Sequence, residues 1–211
     1  MAKPIVIIGY GGHAAEAAAA AMAMAEADGS RLDGFVDSDP TGKPVEVHGI
    51  PLLGDESYLT GRENEVRLHI AIGDNGVRRK IATRYSGFEF ATIIPPTAVK
   101  GPSVDVGMGS LIAPGAILTA RLTIGNHVIV NTGSIVSHDC EIADYANISP
   151  GCILTGNVSL GSGAFLGSGV TVAPGISIGA DSKVGLGSVV TKDIPSGVIA
   201  VGAPARVVKT V

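Results

Sequence analysis

The chain has 211 residues, enough for one large domain or two small ones joined tightly. Hydrophobic residues make up 45%, charged residues 16% and aromatic residues 4%, with 30 Gly, 12 Pro and no Trp, where an average domain carries about 25% charge. A repetitive, Gly-punctuated architecture is expected, and 15 Lys+Arg against 19 Asp+Glu leave a net charge of -4, with no basic field to hold nucleic acid or an anionic membrane.

The first element is a short apolar strand, Pro4 to Ile8, which lacks the cleavage signature of a secretory leader. Gly9-Tyr10-Gly11-Gly12-His13 follows as a turn, and an Ala-rich helix runs from Ala14 to Ala27. Glu16 and Glu26 interrupt its apolar surface, so it cannot span a bilayer, which takes about 20 apolar residues. A cytoplasmic protein is expected. A strand from Leu32 to Asp37 completes a βαβ unit. The loop Asp37-Ser38-Asp39-Pro40 and a turn near Gly49-Ile50-Pro51 lead to a third strand, Val66 to Ile72. Gly73-Asp74-Asn75 caps a second helix reaching about Tyr85, and a fourth strand covers Phe88 to Ile94. Pro95, Pro96 and Pro102 mark a change of regime, placing a Rossmann-like α/β domain at residues 1–96 and a second domain at 97–211.

From Val106 every sixth residue is aliphatic, through Ile112, Leu118, Ile124 and onward to Val190: fifteen positions without exception. The strict register begins only after Lys100. The next residue of each hexad is Gly, Ala, Ser, Thr or Asn, and the fifth place is mostly small or β-branched. A helix cannot produce a period of six, since at 3.6 residues per turn the aliphatic column would walk around its axis. Three strand-and-turn edges of six residues make one triangular coil, and stacked coils bury the column while backbone ladders run between them. The 90 residues of the repeat make five coils.

Three strand ends in the first domain converge on one crevice. Gly11, Gly12 and His13 lie between strand and helix, where bare backbone N–H groups can approach a phosphate, although the third glycine of the GxGxxG pattern is missing and a plain tight turn is the alternative. Asp37 ends the second strand, where a carboxylate can accept hydrogen bonds from a ribose or base, and Gly73 ends the third. In the repeats the polar residues that break the monotony are Asn131, His138, Asp139 and Asn147. His138 occupies a corner place with Asp139 directly after it, a pairing that raises the basicity of an imidazole and fixes its tautomer. His127, without a neighbouring carboxylate, reads as a solvated corner histidine. With only His127 and His138 in the repeats, a three-histidine zinc site is not expected. His48 and His69 read as structural, while His13 faces the crevice or caps the first helix. Cys140 and Cys152, both in the inward fifth place of a hexad, read as buried and inert.

Taken in order, GYGGHA, VDSDP, GIPLLGD, AIGDN with Arg78-Arg79-Lys80, NTGSIVSHDC and GAPAR resemble the hexapeptide-repeat nucleotide-sugar acetyltransferases, which include bacillosamine-pathway, perosamine and sialic acid enzymes. The resemblance implies a left-handed parallel β-helix, a homotrimer, and acetyl-CoA held in a groove between neighbouring subunits. It implies that Gly11, Gly12 and His13 meet the nucleotide phosphates or ribose, Asp37 and Ser38 the base end, and Gly73 the crevice floor. His138 would be the catalytic base and Asp139 the group that tunes it. Asn147, Gly156, Ser168 and Leu186 would line the acetyl-CoA groove, and Gly202 to Arg206 would close its coenzyme end. Some relatives carry a histidine where this chain has Asn147, whose amide can donate a hydrogen bond to a thioester carbonyl but cannot relay a proton. The implied reaction is direct acetyl transfer from acetyl-CoA to the 4-amino group of a nucleotide-linked 4-amino-4,6-dideoxy sugar, for surface glycan synthesis and without a metal or an acyl-enzyme. Transfer to a sugar hydroxyl, or a β-helix that binds nucleotide sugar without catalysis, are the competing readings.

Overall fold

The computed structural model describes residues 3–211. Its first part is a six-stranded sheet: β1 (Ile5–Ile8), β2 (Leu32–Val36), β3 (Glu46–Val47), β4 (Ile50–Gly54), β5 (Arg67–Ile70) and β6 (Glu89–Phe90). The spatial order is β3-β4-β2-β1-β5-β6, parallel except for the β3–β4 hairpin. α1 (Gly12–Asp28) and α2 (Asn75–Arg84) connect its strands. β1 is apolar along its whole length because it is central, with β2 on one side and β5 on the other. The chain leaves β1 toward β2 and later returns to the other side at β5, so the strand order reverses at the C-terminal end of β1, where open α/β sheets form a crevice.

Two expected boundaries shift in this sheet. The turn expected near Gly49-Ile50-Pro51 is present but lies closer to the N-terminus. His48 and Gly49, both with positive φ, make the two-residue turn of a hairpin, and Ile50 and Pro51 already belong to β4. The fourth strand also stops early, at Phe90, because Ile93 leaves the sheet and bridges Leu111 of the second part.

That second part is a three-sided parallel β-helix. Its first face stacks six strands, from Val99–Lys100 through Ile135–Val136 to Val189–Val190. The second stacks five, from Val104–Val106 through Glu141–Ile142 to Ser177–Ile178, with Ile194 bridging onto the end. The third runs from Leu111–Ile112 through Asn147–Ile148 to Val198–Gly202, which turns back antiparallel as Ala205–Thr210. Within the repeats each strand residue pairs with the one 18 further on, as Ile117 with Ile135 and Ile135 with Ile153, and at the last coil the step shortens to 16, as Lys183 with Ile199. The aliphatic column fills the interior, together with the fifth-place residues from Ala116 to Val170 and both cysteines. The ladder exceeds the five coils expected at both ends: Ile194 and Val198–Gly202 continue it past Val190, and at the start Lys100 occupies the aliphatic register opposite Leu118. No coil lies beneath this first turn, so its residue remains exposed and a lysine is tolerated.

Candidate active site

At the crevice, Gly9 has φ +112° and sits against the Ile72 side chain and the Ala71 carbonyl, a place only glycine fills without strain. Gly11 and Gly12 differ: nothing lies within 4 Å of where their Cβ atoms would be, so their bareness leaves room for something outside the chain. Gly11 is the N-cap of α1 and offers no side-chain cap, which leaves the first-turn N–H groups free for an anion. His13 is the second residue of α1, not its cap. Its Nδ1 lies 3.6 Å from a Glu16 carboxylate oxygen, while Nε2 is buried without a protein partner. Burial holds its pKa below the ordinary value against the opposing pull of Glu16, so the ring is neutral at pH 7. Asp37 pairs with Lys43 and accepts the Asp39 N–H at 3.0 Å, which locks the VDSDP turn at the end of β2, and Ser38 beside it is exposed.

Gly73 reaches across to the β-helix. Its carbonyl accepts hydrogen bonds from Asn147 Nδ2 and an Arg78 terminal nitrogen, each at 3.2 Å. Arg78 is 1% exposed and is the largest fully buried side chain. All its donors are used: Nε on the His127 carbonyl at 2.9 Å, one terminal nitrogen on Ile72 and Gly73, the other on Asn75 Oδ1 and on the Tyr145 carbonyl at 2.7 Å. Burial lowers its pKa to about 10, so it remains a cation that clamps the β5–α2 loop onto two successive coils. Asn75, Arg79 and Thr92 add bonds to Gly163, Ser162 and Gly107. These contacts place the first part of the chain over the corner between the second and third faces and over part of the third face.

His127 lies under that contact, and the expectation of a solvated corner histidine is corrected. It is 4% exposed, stacked on Tyr145 at 5.3 Å and edge-on to Phe90 at 4.6 Å, and burial together with Arg78 lowers its pKa to about 4. His69 is structural as expected: buried, donating from Nδ1 to the Ala91 carbonyl at 3.0 Å, with a pKa lowered to about 4 by burial.

His138 lies on the corner between the first and second faces, opposite the third. Its side chain is 54% exposed, and Nδ1 is 2.7 Å from Asp139 Oδ2. Adjacent residues in a strand point to opposite sides, but Asp139 has φ +60°, and this left-handed corner turns its carboxylate back to the ring. The carboxylate is held well below the usual range, first by Arg121 and then by His138. An ionised carboxylate can only accept, so Nδ1 is the donor of this pair. Gly156 lies one coil on, against the ring, where any Cβ would collide with it.

The remaining expected groove residues are not on this corner. Ser168 and Leu186 lie on the corner between the third and first faces, with Leu186 82% exposed, and Asn147 lies on the third face, its Oδ1 buried without a partner. A concave groove of about 890 Å³ runs along the second face, lined by Glu141, Asp144, Ser159, Ser162 and Ser177 among others. Cys140 and Cys152 are free and buried, with thiol pKa values pushed up by burial. Among the described residues no cluster of His, Cys, Asp or Glu has a metal-binding arrangement, and no helix is long and apolar enough to cross a membrane. Sequence reasoning missed Arg121 and the clamp role of Arg78. The spacing of 18 between Arg121 and Asp139 was the signal for the first; Arg78 had none, because its partners are backbone carbonyls.

Residues 4–85 match the PglD N-terminal domain family. Perosamine N-acetyltransferase from Caulobacter crescentus, solved with CoA and GDP-perosamine, is 40% identical over 99% of this chain and 98% of its own, with a TM-score of 0.89. The acetyltransferase domain of PglB from Neisseria gonorrhoeae, solved with acetyl coenzyme A, is 29% identical over 99% of this chain and 100% of its own, with a TM-score of 0.88. WeeI from Acinetobacter baumannii is 28% identical over 98% of this chain and 100% of its own, with a TM-score of 0.85. No curated protein sequence matches. The chain belongs to the family of sugar N-acetyltransferases with a left-handed β-helix, enzymes that use acetyl-CoA. The reading of a β-helix that binds without catalysis is thereby set aside.

Proposed function

We propose that this enzyme transfers the acetyl group of acetyl-CoA to the 4-amino group of a GDP-linked 4-amino-4,6-dideoxy sugar resembling perosamine, as a cytoplasmic step toward a surface glycan. The observation that carries the reading is the exposed His138–Asp139 pair, with Nδ1 held at 2.7 Å and Nε2 free, in a chain 40% identical across 99% of its length to an enzyme solved with CoA and GDP-perosamine. His138 Nε2 takes a proton from the sugar amine as the nitrogen bonds to the acetyl carbon. As the carbon–sulfur bond breaks, His138 returns the proton to the departing sulfur. Backbone N–H groups stabilise the oxyanion between these events. No cysteine is needed, and both are buried.

The crevice and His138 belong to different active sites of a homotrimer. In one chain the crevice packs on the third face and its flanking corner, while His138 occupies the corner opposite that face. A neighbour related by a three-fold axis would bring its Gly73, Asn147, Ser168 and Leu186 to the His138–Gly156 corner, and acetyl-CoA would lie in the groove between them. Gly11, Gly12 and His13 would hold the phosphates and ribose, and Asp37 and Ser38 the base.

The test is coenzyme A release with acetyl-CoA and a panel of GDP-, UDP- and dTDP-linked 4-amino-4,6-dideoxy sugars, each beside its 4-hydroxy analogue. Release with the GDP-linked amino sugar is expected. Release with hydroxyl analogues alone would replace the reading with O-acetylation.

A further inference from the structure

Arg121 stands one coil before Asp139 on the same corner, 18 residues earlier, and its guanidinium grips the Asp139 carboxylate with both arms: Nε to Oδ1 at 2.7 Å and a terminal nitrogen to Oδ2 at 2.9 Å. Oδ2 is also the oxygen that accepts from His138 Nδ1. Arg121 has φ +51°, a conformation that favours Gly or Asn, and it is the only arginine among the described residues with positive φ. Other corners place Gly, Ser, Asn, Asp, His or Tyr there, as Gly163, Ser103, Asn157, Asp181, His127 and Tyr145, so that Arg121 is the one residue of the set that carries a fixed cation among the described residues. The coil needs no long cation at this place, and the side chain is largely exposed, so the ion pair contributes little to folding.

We propose that Arg121 is a positioning residue for His138: its fork fixes the plane of the Asp139 carboxylate, so that the ring is held with Nδ1 protonated and Nε2 free. Its charge has a second effect. Removing that cation would leave a lone carboxylate beside the ring, and a lone carboxylate favours the imidazolium. The other groups around the ring are Ala120 one coil before, Gly156 and Asn157 one coil on, and the buried Cys140 thiol, none of them charged, with Glu141 on the adjoining second face. The inference rests on the reading of His138 as the base.

The ring is observable without turnover. Histidine labelled at its ring positions is titrated by NMR in the full-length protein, with the His138 signal identified by its loss in H138Q. The wild type is expected to show the Nδ1–H tautomer. In R121A the His138 midpoint should rise by roughly half a pH unit, the effect of removing one exposed cation several ångströms away, and Nε2–H tautomer should appear. R121K, which keeps the charge without the fork, should restore the midpoint but not the single tautomer. R121A curves and tautomer signals that superpose on the wild type would overturn the inference. The acid limb of kcat/KM should move with the ring. A ring that moves while the limb stays fixed would overturn His138 as the base and leave the hold of Arg121 on the ring established.

Discussion

Two corners of the β-helix each carry a histidine, eleven residues apart in the chain, and their chemistry is opposite. His127 is covered by Phe90, Tyr145 and the Arg78 clamp, a poor place for a proton. His138 is open to solvent and bonded to a carboxylate. The repeat supplies equivalent scaffolds to both, so what packs over a corner, not the corner itself, decides which ring is open to a substrate.

The largest effect should come from breaking the open corner. H138A should lower kcat/KM roughly a thousandfold, within the usual range for removing a general base, measured as coenzyme A release. H127F should retain most activity, and a loss as large as that of H138A would erase the contrast.

Next in size is the clamp. R78M leaves the carbonyls of Ile72, Gly73, His127 and Tyr145 short of their buried donor. It should lower the unfolding free energy by about 3 kcal/mol, read as a fall in the urea midpoint. Unchanged stability would mean that the two parts of the chain hold together without it.

The covered corner also predicts an acid sensitivity. His127 and His69 have folded-state pKa values of about 4 against 6.5, so the unfolded chain binds more protons between those pH values. Stability is full above pH 6.5 and is lost as pH falls toward 4, by on the order of 3 kcal/mol per ring at most. H127F should flatten that loss relative to wild type in denaturant titrations at pH 7 and pH 5. The smallest effect is expected from C140A, with coenzyme A release within about twofold of wild type, since buried thiols take no part.

These corners also show what a sequence can disclose. Hexad spacing reveals the β-helix because one aliphatic residue per edge must point inward, and a carboxylate next to a histidine reveals His138–Asp139 because the pair is local. His127 is misread because its cover, Phe90 and Arg78, comes from residues 37 and 49 positions earlier, with no periodic relation to the coil. The strand ends at Gly11, Asp37 and Gly73 are legible as parts of a crevice, since βαβ connectivity alone brings them together. That Ser168 and Leu186 sit on a different corner from His138 follows from counting hexads modulo three. Which corner of which subunit meets another does not, because a symmetry operator leaves no period in the chain.

The claim that each active site is shared between two subunits is tested most directly by complementation. H138A lacks the base but keeps its crevice; G12D keeps the base, and its added carboxylate repels phosphate where there is open room for the side chain. Each variant alone should be inactive. Co-expressed in equal amounts, they should regain about one quarter of wild-type coenzyme A release, because one shared site in four then joins an intact His138 to an intact crevice. A mixture as inactive as its parents would place the base and the crevice of each site on the same chain and contradict the account.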